Sequence, residues 1–228
     1  MSSCVFARNV VQSCLRGMRI TKLGHSCLSI EDGEGKLLTD PGMYSTAQNN
    51  VTGVSVVLIS HEHPDHFHIE SLKKVLEHNP KAEIFTNKAV GRLLAKEDIR
   101  FTLLEHHQKK IVSGFLIEGY GEKHAEILPS MAVVPNTGFL INEKLFFPGD
   151  AFYNPKREIE ALALPVCGPW LKLSEAIAYA KEVDPHIAFP IHDGMLKIAG
   201  PFHRLPEAEL TKAGIEFRVL TNGQSMKI

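Results

Sequence analysis

Cysteine is scarce in this chain of 228 residues, and none of the four, Cys4, Cys14, Cys27 and Cys167, stands in a Cys-x-x-Cys spacing. That spacing pattern argues against a cysteine-rich zinc knuckle and against a dithiol redox pair. Scattered, unpaired cysteines fit a reduced compartment, so a cytoplasmic location is expected. No apolar run approaches the roughly 18–20 residues needed to span a bilayer, and no membrane partner is expected. The formal net charge is only −1, which leaves no overall basic field to attract nucleic acid. No low-complexity tract and no repeat of about 20–50 residues breaks the chain. Apolar content of 44% and charged content of 22% are ordinary for a globular protein. The length allows one substantial core, with room for two symmetrical halves.

What is present is concentrated. Of twelve histidines, His61, His63, His66 and His68 fall within eight residues. They follow Val54-Ser-Val-Val-Leu-Ile59, an apolar run rich in β-branched residues that reads as a strand buried on both faces. Imidazole and carboxylate are the usual ligands of zinc and related divalent cations. Residues i and i+2 of an extended segment point the same way, so His61 and His63 can close on one cation as the strand ends. Asp65 and His66 lie past the turn fixed by Pro64 and can face a second cation.

Around this stretch, strands and helices alternate. Residues 18–40 read as a hairpin, with Asp32-Gly33-Glu34-Gly35 as its turn. Helices are expected over 69–79, 88–96, 174–183 (capped by Ser174) and 206–213. Strands are expected over 82–86, 101–104, 111–117, 137–142, 145–147, 159–166, 186–191, 216–220 and 225–228. Residues 1–17 stand apart: they carry Arg8 and Arg16, no acidic residue and two of the cysteines. They read as an upstream extension, a short surface helix or a transit-like segment. The extension is preferred, with a single domain over 18–228.

Other candidates sit at strand breaks. His25 in Gly-His-Ser-Cys and Asp40 before Pro41-Gly42 are equally turn residues serving the local backbone. His124 follows a strand punctuated by Gly119 and Gly121. Asp150 ends Phe-Pro-Gly-Asp, itself good turn chemistry. His192 ends the strand beginning at His186. The His106-His107 pair is a poor chelate, because adjacent extended side chains point apart. Trp170 lies in a Gly-Pro loop, where it either walls a pocket or caps the core.

The motif His61-x-His63-x-Asp65-His66 after a hydrophobic strand resembles the signature of the metallo-β-lactamase-fold hydrolases. The resemblance covers about residue 18 to the C-terminus. It implies an α+β fold, the four-layer αββα sandwich, with metals at one edge. It also implies His61, His63 and His124 on one metal, Asp65, His66 and His192 on the other, and Asp150 between them. Asp40 and His25 are then supports behind the ligands. Two divalent cations are expected, zinc first, with manganese or iron as alternatives. The oxygen-reducing di-iron branch typically carries glutamate where His63 stands and is disfavoured.

The chemistry implied is attack by a metal-activated hydroxide on an ester, lactone, amide or phosphodiester. Asp65 and His192 are assigned to the catalytic step, with Asp65 orienting the nucleophile or moving a proton. Gly-His-Ser and the compact chain look most like the L-ascorbate-6-phosphate lactonase-like branch. A phosphodiesterase or nuclease of the same fold, and an inactive metal-binding scaffold, are the alternatives. The expected partner is a small-molecule substrate, not nucleic acid, and homo-oligomerisation stays open.

Overall fold

The computed structural model describes residues 17–228. The extension expected at 1–17 lies, apart from Gly17, outside the described residues. Two seven-stranded sheets form the centre. In the first, β1 (Arg19–Gly24), β2 (Cys27–Asp32) and β3 (Gly35–Thr39) run antiparallel. Then β4 (Val56–Ile59), β5 (Glu83–Thr86) and β6 (Thr102–Leu103) continue parallel to β3. The second sheet repeats the plan. Its antiparallel part is β7 (Lys109–Val112), β8 (Phe115–Tyr120), β9 (Gly138–Ile141) and β10 (Leu145–Phe147). Its parallel part is β11 (Ala161–Pro165), β12 (Ile187–Ile191) and β13 (Glu216–Phe217). The last strand, β14 (Ser225–Lys227), returns to pair with β1 and ties the chain's end to the first sheet.

Strand periodicity builds the layers. Along β4, Val56 and Leu58 join the core between the sheets, whereas Val57 and Ile59 join the one outside the first sheet. Along β11, Ala161 and Ala163 face inward and Leu162 and Leu164 face outward. Both faces are apolar because helices cover the outer ones. Helices α1 (Ile69–His78) and α2 (Lys88–Lys96) pack on the first sheet, placing Leu72, Val75, Val90 and Leu94 in its outer core. Helices α3 (Leu173–Val183) and α4 (Gly200–Thr211) cover the second, with Ala176, Tyr179 and Leu210. The result is the αββα sandwich.

Three of the departures from the sequence reading have a clear physical cause. The strand expected over 111–117 is a hairpin, because Ser113 and Gly114 both take positive φ (48° and 83°) and reverse the chain. Helix α4 begins at Gly200, not Pro206: Pro201 occupies its first turn, where no N–H is needed, and Pro206 is carried inside. Helix α3 starts at Leu173, ahead of Ser174, with the Glu175 carboxylate accepting the Lys172 N–H at 3.4 Å. Among the described residues, no helix is long and apolar enough to cross a membrane.

The inter-sheet core should dominate stability. Phe139 is 0% exposed at the centre of β9, and Phe139→Ala is expected to cost about 3–5 kcal/mol in urea unfolding with an unchanged m-value. Ile111, 81% exposed on the edge strand β7, should tolerate alanine within about 0.5 kcal/mol.

Candidate metal centre

The strand directions bring the candidate residues to one edge. β3, β4, β8, β10 and β12 all finish at the same end of the sandwich, and the β1–β2 turn lies there too. Asp40, His61, His124, Asp150 and His192 follow those ends, and His25 occupies the turn. Two close backbone approaches make this possible. A Cβ on Gly42 would lie 1.7 Å from the Asp65 carbonyl oxygen, so only glycine lets the loop after β3 touch the histidine loop. Gly149, at φ 64°, brings the end of β10 against Ser60, where a Cβ would be 2.8 Å from that residue's Cβ.

Three groups of donor atoms result, each with its atoms within 4.8 Å of one another: His61, His63 and His124; His25, Asp65, His66 and His192; and Asp40, His61 and His66. Asp150 lies between the first two. Its Oδ1 is 3.1 Å from His66 Nε2, and its Oδ2 is 2.9 Å from His192 Nε2 and 3.4 Å from His124 Nε2. The structure thus brings all seven expected ligands together.

Hydrogen bonds fix which ring nitrogens are bare. His66 Nδ1–H donates to Asp40 Oδ2 at 2.6 Å, and His124 Nδ1–H donates to the Ala125 carbonyl. Ser60 Oγ–H donates to Asp40 Oδ2 at 2.6 Å and so accepts from His61 Nδ1–H at 3.0 Å. Nε2 of each ring is therefore free of its proton when the ring is neutral. His25 is wired the opposite way. Its Nδ1 accepts the Gly194 N–H at 3.1 Å, which leaves the ring proton on Nε2, 3.2 Å from Asp65 Oδ2. His25 thus holds Asp65 as a hydrogen-bond donor and has no bare nitrogen to offer a cation.

The donor set fits a cation. Nε2 of His66, His124 and His192 and Oδ1 of Asp150 are buried with no hydrogen-bond partner. Such groups are costly to bury unless something else satisfies them. Several lie at hydrogen-bonding distance from Asp150 but off hydrogen-bonding angles, as expected of lone pairs aimed at a shared third point.

Charge is strongly coupled here. Burial holds His61 well below the usual imidazole range, with His66 adding repulsion. Burial, then His124, also lowers His63. Burial lowers His25 to about 4, against its bond to Asp65. For His66 burial acts the same way, but the Asp150 and Asp40 carboxylates outweigh it and hold the ring well above its ordinary value. His192 is raised to about 9 because Asp150 and Asp65 likewise overcome burial. Asp150 and Asp65 are pushed down despite burial, Asp150 by His66 and His192, and Asp65 by the nearby His192 ring and its bond to His25. Burial raises Asp40 against its bond to His66.

Several supporting residues were not singled out from sequence. Ser60 links His61 to Asp40. Asn136 accepts the Asp150 N–H through Oδ1 and donates through Nδ2 to the Pro148 carbonyl. Lys22, 2% exposed, donates to the Pro190 carbonyl and to both oxygens of Asp193, anchoring the loop that carries His192. Burial lowers this lysine's pKa against the attraction of Asp193. His203 Nε2 reaches the same carboxylate at 2.9 Å. His106 faces the cleft beside His124, its Nδ1 accepting the Gly121 N–H at 3.0 Å. His107 is exposed.

The fold and this cluster define a metallo-β-lactamase-type metal centre. Residues 19–192 match the beta-lactamase superfamily domain. Protein Rv0786c of Mycobacterium tuberculosis is 34% identical over 184 residues, covering 78% of this chain and 85% of that protein. Igni18, a metallo hydrolase of Ignicoccus hospitalis, aligns with TM-score 0.72 at 16% identity over 92% of this chain and 98% of its own. The metallo-beta-lactamase fold protein YhfI of Bacillus subtilis aligns with TM-score 0.73 at 16% identity over 93% and 100%. The chain belongs to the metallo-β-lactamase superfamily.

Asp40 accepts from the Ser60 N–H, the Ser60 hydroxyl and His66 Nδ1. Asp40→Ala leaves these buried donors without their acceptor. It should cost about 1–3 kcal/mol in urea unfolding of the metal-free protein. It should also weaken zinc binding about 10–100-fold by competition against a chromophoric chelator.

Proposed function

We propose that this chain hydrolyses a small ester or lactone, phosphorylated substrates included, at a site holding two divalent cations, with zinc the first choice. The observation that carries the proposal is the set of buried, unpartnered donors, His66 Nε2, His124 Nε2, His192 Nε2 and Asp150 Oδ1, gathered at one edge. His61, His63 and His124 would hold one cation, Asp65, His66 and His192 the other, with Asp150 shared. A donor set of five imidazoles and two carboxylates suits zinc, and manganese or iron remain compatible with it. Bound cations of this kind would supply Lewis acidity and lower the pKa of a water toward about 7.

The chain's own residues supply the rest. Asp40 keeps the His66 ring oriented, directly, and the His61 ring through Ser60. His25 holds Asp65 Oδ2. The side chain of Asp65 is 17% exposed against 3% for Asp150, so Asp65 is the carboxylate able to meet the attacking water and take its proton. His192 stands between these two carboxylates, its Nε2 3.3 Å from Asp65 Oδ2.

The cleft beside His124 has a volume of about 460 Å³ and is lined by His106, Glu122, Lys123, Phe152 and Tyr153. Mixed charge with aromatic walls suits a small molecule better than a polyanionic backbone. This supports a lactone or ester substrate, as in the ascorbate-6-phosphate lactonase-like branch, over the nuclease alternative. An inactive scaffold would have no need to keep every donor.

Protein purified without chelator and reloaded should carry about two equivalents of zinc, manganese or iron by elemental analysis. Less than about half an equivalent with each metal would defeat the two-cation site. Asp150→Asn replaces the shared carboxylate by a neutral amide. It should keep its circular dichroism spectrum, fall toward one cation and lose at least about 100-fold in turnover of whichever lactone, ester, phosphodiester or β-lactam proves to be cleaved. Two firmly held cations and a near-normal rate in this variant would show that Asp150 is not shared.

A further inference from the structure

Trp170 is the chain's single tryptophan, and it does more than wall a pocket. Its indole Nε1–H donates to Asp150 Oδ2 at 2.7 Å, with both residues buried. The approach depends on Gly168, since a Cβ there would lie 2.8 Å from Nε1. The ring meets His124 edge-on, with centroids 5.7 Å apart and planes at 73°. It meets His192 in the same way, at 6.1 Å and 79°. Phe152 packs on it at 5.2 Å. One indole therefore touches the central carboxylate and one histidine from each donor group.

Asp150 is fixed from two directions. Asn136 Oδ1 accepts its backbone N–H at 3.1 Å, which sets the main chain, while Trp170 sets the carboxylate's rotation. Oδ2 thus carries an N–H, whereas Oδ1 beside His66 has no hydrogen-bond partner. A carboxylate free to rotate could satisfy one donor group at the other's expense. We propose that Trp170 is a positioning residue that locks the Asp150 carboxylate between the two histidine groups, so that both can hold a cation at once. The inference rests on the two-cation reading above.

Trp170→Phe keeps an aromatic ring in the wall and removes the N–H together with part of the indole's bulk. By chelator competition, the weaker of two zinc equivalents should bind about 10–100-fold less tightly than in the wild type, while the first changes little. If the wild type binds two equivalents and the variant binds both as tightly, the proposal is overturned and the two-cation reading stands. If the wild type binds fewer than two, both fall. A second measurement needs no ring substitution. The wild-type chain has one tryptophan indole, hence one indole 1H–15N resonance. In metal-free protein that resonance should sit at a hydrogen-bonded shift, move in Asp150→Asn, and move again as zinc is added. A resonance at the free-indole position, unmoved by Asp150→Asn, would overturn the proposal even if Trp170→Phe failed to fold. General loosening of the core would lower the melting temperature without separating the two zinc affinities.

Discussion

Everything at the site leans on the buried Asp40 carboxylate. It follows β3 at φ 36°, a conformation that few non-glycine residues adopt, and that bend carries the chain into Pro41 and Gly42. Its two oxygens take the Ser60 N–H, the Ser60 hydroxyl and the His66 ring N–H. Because Ser60 in turn accepts from His61, a single carboxylate sets the tautomer of one histidine in each donor group. The two groups are therefore oriented in concert. A turn of the Asp40 side chain would free both rings, and the Nε2 atoms would no longer converge.

The sandwich makes that convergence possible. Each sheet begins antiparallel and ends parallel, so several strands in each terminate at one edge. The first sheet delivers Asp40 and the histidine loop, and the second delivers His124, Asp150 and His192. Neither sheet holds a complete set. Lys22 of β1 bridges them by anchoring Asp193 and the Pro190 carbonyl, and His25 does so through the Gly194 N–H. Loops carry the donors, but fixed strand ends and long-range bonds determine where those loops sit.

The histidine loop was legible because its chemistry is local: a buried strand, a proline turn and four ligand-type side chains within a few residues. The strand and helix pattern was legible for the same reason, since period-two and helical spacing are read within one segment. His124, Asp150 and His192 were different. Each is a single residue at a strand end, and the family motif, not the local pattern, singled them out. Ser60, Asn136 and Lys22 left no signal, because their roles exist only across folds of the chain; Lys22 and Asp193 are 171 residues apart. Trp170 was noticed but could not be aimed, since nothing local says that an indole N–H will meet a carboxylate 20 residues earlier. The Ser113-Gly114 reversal was hidden by apolar alternation that continues on both sides of it.

Stability and function rest on different parts of this architecture. The apolar layers do the folding: strands buried on both faces bring Phe139, Phe147 and Phe189 into one core between the sheets. The edge does the reverse. It gathers several carboxylates and imidazoles, most of them fully buried, and leaves some of their polar atoms without partners. Such groups lose hydration, and even well-paired buried charges commonly contribute little or nothing net. Glycines add to the cost, since Gly42 and Gly149 give up conformational freedom to allow contacts that no other residue fits. A fold selected for stability alone would have filled this edge with aliphatic side chains. That the edge is instead polar, tautomer-locked and incompletely satisfied is what a cation-binding site demands, and the large apolar core is what lets the chain sustain it.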